Sequence, residues 1–185
     1  MKKGKTTRNS PNLRFPEFLE QWEEKMLGEI AKKSLLKNKN NEVNVVFSNS
    51  ATRGIVMQND YFDKDIANVN NLSGYYIIKP FDFVYNPRIS SQAEVGAMNM
   101  NDLEQEGLVS PLYTVFRIID DNINKNFLNH FFKSKFWHTY MKSIANYGAR
   151  DDRMNIKDND FFNLPIHFPT LAEQTKIASF LSKLD

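Results

Sequence analysis

The sequence predicts an α+β fold: a compact mixed domain of short, largely antiparallel strands packed on a long helix, followed by the start of a coiled-coil helix. Three observations predict it. Short runs rich in β-branched and aromatic residues alternate with Gly, Pro, Asn or Asp between residues 43 and 119. Leu128, Phe131, Phe132, Phe136, Tyr140 and Ile144 recur at three- and four-residue spacing, an apolar stripe marking a helix over residues 125–145. Thr170 and Glu173 have capping-box spacing ahead of Ile177, Leu181 and Leu184, which keep the four-three rhythm of a coiled-coil seam.

Residues 1–10 hold Lys2, Lys3, Lys5 and Arg8 with no acid and read as a flexible basic tail, either solubilising or steering toward a polyanion. The 185 residues carry 24 Lys plus Arg against 22 Asp plus Glu, so residues 11–185 have 20 bases, 22 acids and a charge of −2. That balance excludes a blanket-basic nucleic-acid binder. Residues 11–169 form the predicted domain. Pro11 and Pro16 punctuate an extended segment docked by Phe15, Phe18 and Trp22. A short helix follows at Leu27–Ala31 and a polar loop at Lys37–Glu42. Strands are predicted at Val43–Phe47, Tyr75–Ile78, Asp82–Tyr85 and Tyr113–Ile119. Residues 170–185 then begin the seam helix, which reaches Asp185 without a stop signal, as expected of a chain cut just inside a long spacer helix.

The absence of cysteine excludes a disulfide framework, a zinc–thiolate site and a cysteine nucleophile. No apolar run reaches the roughly 20 residues that span a bilayer, so the expectation is a soluble, cytoplasmic protein with no membrane partner. An adenine methyltransferase would need a glycine-rich cofactor loop and an Asn/Asp-Pro-Pro-aromatic tetrad; Asn86-Pro87-Arg88 lacks the second proline and the aromatic platform. Glu23-Glu24-Lys25 offers half of a nuclease motif with no aspartate before it. Asp158-Asn159-Asp160 runs into Phe161-Phe162 where a calcium loop needs glycine. His130 and His138 sit eight apart, unsuited to a tight metal pair, and no serine lies in a Gly-x-Ser-x-Gly elbow. The residues point to no catalytic or metal site.

Planar, multi-donor side chains remain, gathered in loops: Asn86, Arg88, Ser90, Ser91 and Gln92 after one strand, and Asn146, Tyr147, Arg150 and Arg153 after the long helix. Arg, Asn and Gln can bond bidentately to guanine or adenine edges in the major groove. A solvated loop, with Arg150 and Arg153 paired to Asp151 and Asp152, accounts for the same residues.

Ile144–Asp185 combines a glycine after the helix, an Asn-Ile turn, Leu-Pro-Ile, a proline, and Leu-Ala-Glu-Gln-x-x-Ile-Ala with a terminal Leu-Asp. Leu13-Arg14-Phe15-Pro16, Trp22, Leu27-Gly28-Glu29-Ile30 and Gly107-Leu108-Val109-Ser110 before Tyr113-Thr114-Val115-Phe116-Arg117 complete the pattern. The chain thereby resembles the specificity subunit of type I restriction-modification systems, in particular its N-terminal target recognition domain. Residues 86–101 fit the family pattern only loosely.

The resemblance implies a non-catalytic subunit that reads one half of a bipartite double-stranded DNA target. A second recognition domain of the same full-length chain would read the other half. Methyltransferase (modification) subunits and a restriction subunit would supply the chemistry, holding S-adenosylmethionine, ATP and Mg²⁺, with no cofactor in this chain. Candidate DNA contacts are Arg53, Asn86, Arg88, Ser90, Gln92, Asn146, Tyr147, Arg150 and Arg153; Ile177, Leu181 and Leu184 are the candidate spacer-helix packing residues. The alternative is a protein-interaction module that assembles a complex through its terminal helix and exposed aromatics such as Trp137 and Tyr147 without itself reading DNA.

Overall fold

A computed structural model describes residues 11–58, 72–146 and 152–184. The basic tail, Tyr147, Arg150 and Asp185 therefore lie outside the described residues. The mixed fold of short antiparallel strands and a few helices is present as the sequence predicts. Its centre is a four-stranded antiparallel sheet of β2 (Ala31–Lys33), β9 (Thr114–Ile118), β6 (Phe83–Asn86) and β7 (Ala97–Met100), in that spatial order. Three two-stranded ladders surround it. They are β1 (Glu23–Met26) with β10 (Pro165–Phe168), β3 (Phe47–Ser50) with β4 (Gly54–Met57), and β5 (Tyr76–Ile78) with β8 (Gly107–Val109).

Side-chain alternation divides the packing between the two faces of the central sheet. Phe83 and Tyr85 of β6 and Phe116 of β9 join the larger core cluster, whereas the intervening Val84 and Val115 join a smaller one with Phe47, Ile55, Ile78 and Val109. The short helix α1 (Leu27–Ile30) agrees with the sequence reading and buries Leu27 and Ile30 in the larger core. The predicted Val43–Phe47 strand is displaced toward the C-terminus. Asn38 accounts for the shift, because its side chain donates to Val43 O (2.8 Å) and accepts from Val43 N (3.1 Å), diverting that backbone from a ladder.

The single long helix expected over residues 125–145 is two helices, α2 (Lys125–Lys133) and α3 (His138–Ile144). Trp137 causes the break: its indole N–H donates to Phe132 O and Ser134 O, both at 3.0 Å, and Ser134 Oγ donates to Phe131 O at 2.6 Å. Carbonyls freed at a helix end are thus satisfied by side chains. Trp137, named from the sequence as an exposed aromatic, is only 2% exposed, while Phe136, assigned to the stripe, is 84% exposed. The indole fills the core beside Tyr85 and Phe132, so Trp137 offers no surface to a partner.

The short helix α4 (Asp158–Phe162) leads into β10, and α5 (Leu171–Leu181) follows. Thr170 caps α5 by accepting from Glu173 N at 3.4 Å. The reciprocal half of the predicted capping box is replaced. The Glu173 carboxylate is buried and takes a two-point grip from Arg14, Nε to Oε1 at 2.7 Å and Nη2 to Oε2 at 2.6 Å. Gln174 fastens the same turn by accepting from Asn124 N and donating to Asn122 O and Pro169 O. The extended N-terminal segment docks through its aromatics as predicted: Phe15 meets Phe180 edge-on at 5.9 Å and Trp22 meets Phe127 at 6.0 Å.

Candidate nucleic-acid interface

β6 delivers Asn86 to the rim of the sheet, where its side chain holds three partners. Nδ2 donates to Asn49 O and to the Tyr113 hydroxyl, both at 3.3 Å, and Oδ1 accepts from Arg88 N at 3.0 Å. The amide therefore shapes the bend that presents Arg88. Ser90 and Ala93 then exchange two backbone hydrogen bonds of 3.1 Å, closing a tight turn that leaves Ser90, Ser91 and Gln92 exposed. Gly96 ends this excursion at φ +84°, and a Cβ there would lie 2.3 Å from Asn86 O. Only glycine permits that approach.

The two loops that are separate in the sequence meet in the fold. Ile89 N donates to Asp152 O (2.8 Å) and Met154 N to Pro87 O (3.0 Å), which sets Arg88 opposite Arg153 in an antiparallel bridge. Asn146 N donates to Asn155 O at 2.9 Å and closes the base of the second loop. Directly opposed residues of an antiparallel pair project to one face, and like charges so placed repel. Arg153 Nε lies 3.8 Å from Asp152 Oδ2, whereas Arg88 has no carboxylate partner among the described residues. Both guanidiniums also act on Tyr113, whose pKa burial raises and the two arginines pull back. Two cations held on one face, with a single loose counter-ion among the described residues, form a place for an anion or a base edge.

Two adjoining depressions flank this ridge. One, about 300 Å³, is lined by Asn49, Asn86, Arg88, Ser90, Gln92 and Tyr113. The other, about 490 Å³, lies between the β3–β4 turn and the α2–α3 junction and is lined by Arg53, Gln92, Asn99, Lys133, Lys135 and His138, among others. Gln92 is shared. The structure thus brings Arg53, Asn86, Arg88, Ser90, Gln92 and Arg153 into one neighbourhood, with Asn146 at the foot of the second loop; Tyr147 and Arg150 are not described. His138 Nδ1 is buried without a hydrogen-bond partner, and burial lowers its pKa against the opposing pull of Glu94. His130 Nε2 instead meets Ser182 Oγ at 3.1 Å.

Sequence reasoning missed Asn49, Asn99 and Tyr113. Asn49 is only 5% exposed, donates to Val84 O (2.7 Å) and Ala97 O (3.1 Å), and accepts from Asn99 Nδ2 at 2.6 Å. The signal available was an amide inside otherwise strand-forming runs, Phe47-Ser48-Asn49-Ser50 and Met98-Asn99-Met100, where an inward polar residue needs a specific partner.

Of the spacer residues, Ile177 packs against the main core. It also lines, with Leu181, an apolar groove beside Phe15 and Trp22, while Leu184 is exposed. Among the described residues no group of three or more His, Asp or Glu is placed to hold a metal ion, and no helix is long and apolar enough to cross a membrane.

Comparison with known proteins gives a consistent result. The family described as type I restriction modification DNA specificity domain matches residues 19–185. A chain solved in work on complex assembly and conformational transition of the type I R-M system superimposes with a TM-score of 0.62 at 18% identity, covering 88% of this chain and 42% of that one. The HsdS subunit from Thermoanaerobacter tengcongensis superimposes with a TM-score of 0.59 at 16% identity and the same coverage. At these identities the likeness is one of fold, and the chain spans less than half the length of either structure. No curated protein matches the sequence.

Proposed function

The chain belongs to the type I restriction modification DNA specificity domain family, and on that premise we propose that it reads one half of a bipartite duplex DNA sequence. It does so without catalysing a reaction itself. The full-length subunit directs adenine methylation and restriction by partner subunits in the cytoplasm, and those subunits hold S-adenosylmethionine, ATP and Mg²⁺. The family match over residues 19–185 carries this reading. The Arg88–Arg153 pairing beside Asn86 and Gln92 supports it, because these side chains have the donor geometry that base edges and phosphates require.

In this reading Arg88 and Arg153 meet the DNA from one face, and Asn86 keeps Arg88 presented. Gln92 stands on the same excursion as Arg88, and Arg53 approaches from the adjoining β3–β4 turn. Each bidentate contact discriminates by about 1–3 kcal/mol against the wrong base. A body near electrical neutrality suits selective contact at a few points inside an assembly better than a continuous basic grip.

The test is to sequence methylated adenines in cells carrying the full-length subunit with its methyltransferase partners. Arg88→Ala is expected to relax one position in one half of the methylated motif. If the complex carrying the Arg88→Ala, Arg150→Ala, Arg153→Ala triple variant binds the same motif and its methyltransferase subunits methylate it at the same level, the assignment of these loops is wrong.

A further inference from the structure

We propose that Asn49 and Asn99 are positioning residues for sequence reading: their amide lattice locks the turn carrying Arg53 to the sheet edge carrying Arg88 and Gln92, and so selects which bases the domain prefers. The inference rests on the function proposed above and adds a cause for its selectivity.

The lattice spans three strands and a turn. Asn49 in β3 spends both amide hydrogens on the carbonyls of Val84 in β6 and Ala97 in β7. Its Oδ1 accepts from Asn99 Nδ2, whose second hydrogen goes to Ser50 O at 3.0 Å, the residue that begins the β3–β4 turn. The Asn49 carbonyl accepts from Asn86, which in turn shapes the Arg88 bend. Inside the turn, Ser50 Oγ accepts from Thr52 N (3.4 Å) and Arg53 N (3.2 Å). Gly54 closes it at φ +72°, with Asn99 Oδ1 4.0 Å from where a Cβ would stand.

The Arg53 turn and the Arg88 bend therefore share one hydrogen-bonded frame. Hydrogen bonds are directional, so the frame fixes relative placement in a way that aliphatic contact does not. Recognition of neighbouring base edges needs contacting groups held within roughly half an ångström of their productive positions. Asparagine is required at position 99 because the lattice needs two donors there. Asp offers none, and Ala removes both.

The experiment uses the full-length subunit assembled with methyltransferase subunits and reads the methylated motif, with thermal midpoint measured in parallel. Asn99→Ala is expected to relax base preference at one or more positions of one half-site by roughly tenfold. Asn99→Asp is expected to relax it at least as much, despite its matching shape. If the Ala variant fails to assemble, Asn99→Ser, which keeps one donor, is expected to give an intermediate relaxation. Asn38→Ala serves as the structural control, since the Asn38 side chain is fully buried and bonds to Val43 N and O in the loop region, away from the Arg53 turn and the Arg88 bend.

A double variant separates positioning from simple destabilisation. Combining Asn99→Ala with Arg53→Ala is expected to relax the motif no further than Arg53→Ala alone, because the amide acts through that turn. Multiplying effects, or a lowered midpoint with an unchanged motif as in Asn38→Ala, overturn the proposal. If Arg53→Ala and Arg88→Ala alter the motif while Asn99→Ala leaves it intact, the DNA-contact assignment stands and the positioning role falls. If neither arginine variant alters it, the contact assignment falls, and a motif altered by Asn99→Ala alone then overturns positioning through the Arg53 turn as well.

Discussion

On one face of the central sheet, Phe83 and Phe116 stack at 5.3 Å, and Phe132, Trp137 and Phe161 close around them edge-on or tilted. On the other face, Val84 and Val115 meet a smaller cluster of Phe47, Ile55, Ile78 and Val109, and the amides of Asn49 and Asn99 tie that layer to the rim. The aromatic face draws its stability from area removed from water, which scales with size and tolerates small shifts. The amide-bearing face depends on donors aimed at particular carbonyls, so its cost of error is set by geometry. The candidate recognition residues sit on the second.

The comparison is broken most severely from the aromatic side. Phe116→Ala is expected to destabilise the domain by about 3–5 kcal/mol, because Phe116 is fully buried among four rings. Denaturant titration followed by tryptophan fluorescence checks this, and Phe116→Leu should recover most of the loss. A Leu variant as unstable as the Ala variant would mean that this face also depends on exact ring placement.

Asn49→Ala comes next. It strips the Val84 and Ala97 carbonyls of a buried donor, and leaving such groups unsatisfied costs about 1–3 kcal/mol. Asn49→Leu, which restores apolar volume but no donor, should be no better in the same titration. Recovery by Leu would show that this face, too, is held by area. A smaller effect is expected at Asn124, whose side chain caps α2 by accepting from Phe127 N at 3.1 Å. Asn124→Ala should cost about 1 kcal/mol, while Asn124→Ser should restore most of it.

The gentlest probe is pH. Burial lowers the His138 pKa from 6.5, Glu94 pulls the other way, and Lys142 and Lys135 add to the lowering. The unfolded chain therefore binds its proton more readily than the native one. Stability is complete above pH 6.5 and declines as pH falls from there toward the depressed native value. Unfolding midpoints measured between pH 7.5 and 5, a range of about 2.5 units around the usual histidine pKa, should fall less in a His138→Gln variant. Equal slopes in the two proteins would remove His138 from the account.

How much of this was readable from the sequence follows the same division. Apolar rhythm located α2, the capped start of α5 and the strands near Tyr75, Phe83 and Thr114, because repeated burial leaves a repeated pattern. It failed at Trp137, where one indole N–H ends a helix that the rhythm would continue. It also passed over β1, β4, β7 and β8, whose short segments acquire strand geometry only from distant partners. In the candidate site, Arg88, Gln92 and Arg153 were recognisable by residue type. Their meeting was not, since the Arg88–Arg153 bridge depends on backbone pairing between remote segments. Asn49 and Asn99 escaped notice because an asparagine in a strand looks the same in sequence whether it faces water or a buried carbonyl.

The pairing of β1 with β10 has a consequence for biosynthesis. Glu23 lies opposite Phe168, so the first strand of the domain acquires its partner only after nearly all of the domain has been synthesised. A nascent chain still lacking β10 has an unpaired edge at Glu23–Met26 and no cover for Leu27 N, which bonds to Leu164 O at 2.9 Å. Closure is thus a late event on the ribosome, and a chain stalled before Pro165 should remain open to proteases however well its central sheet has formed.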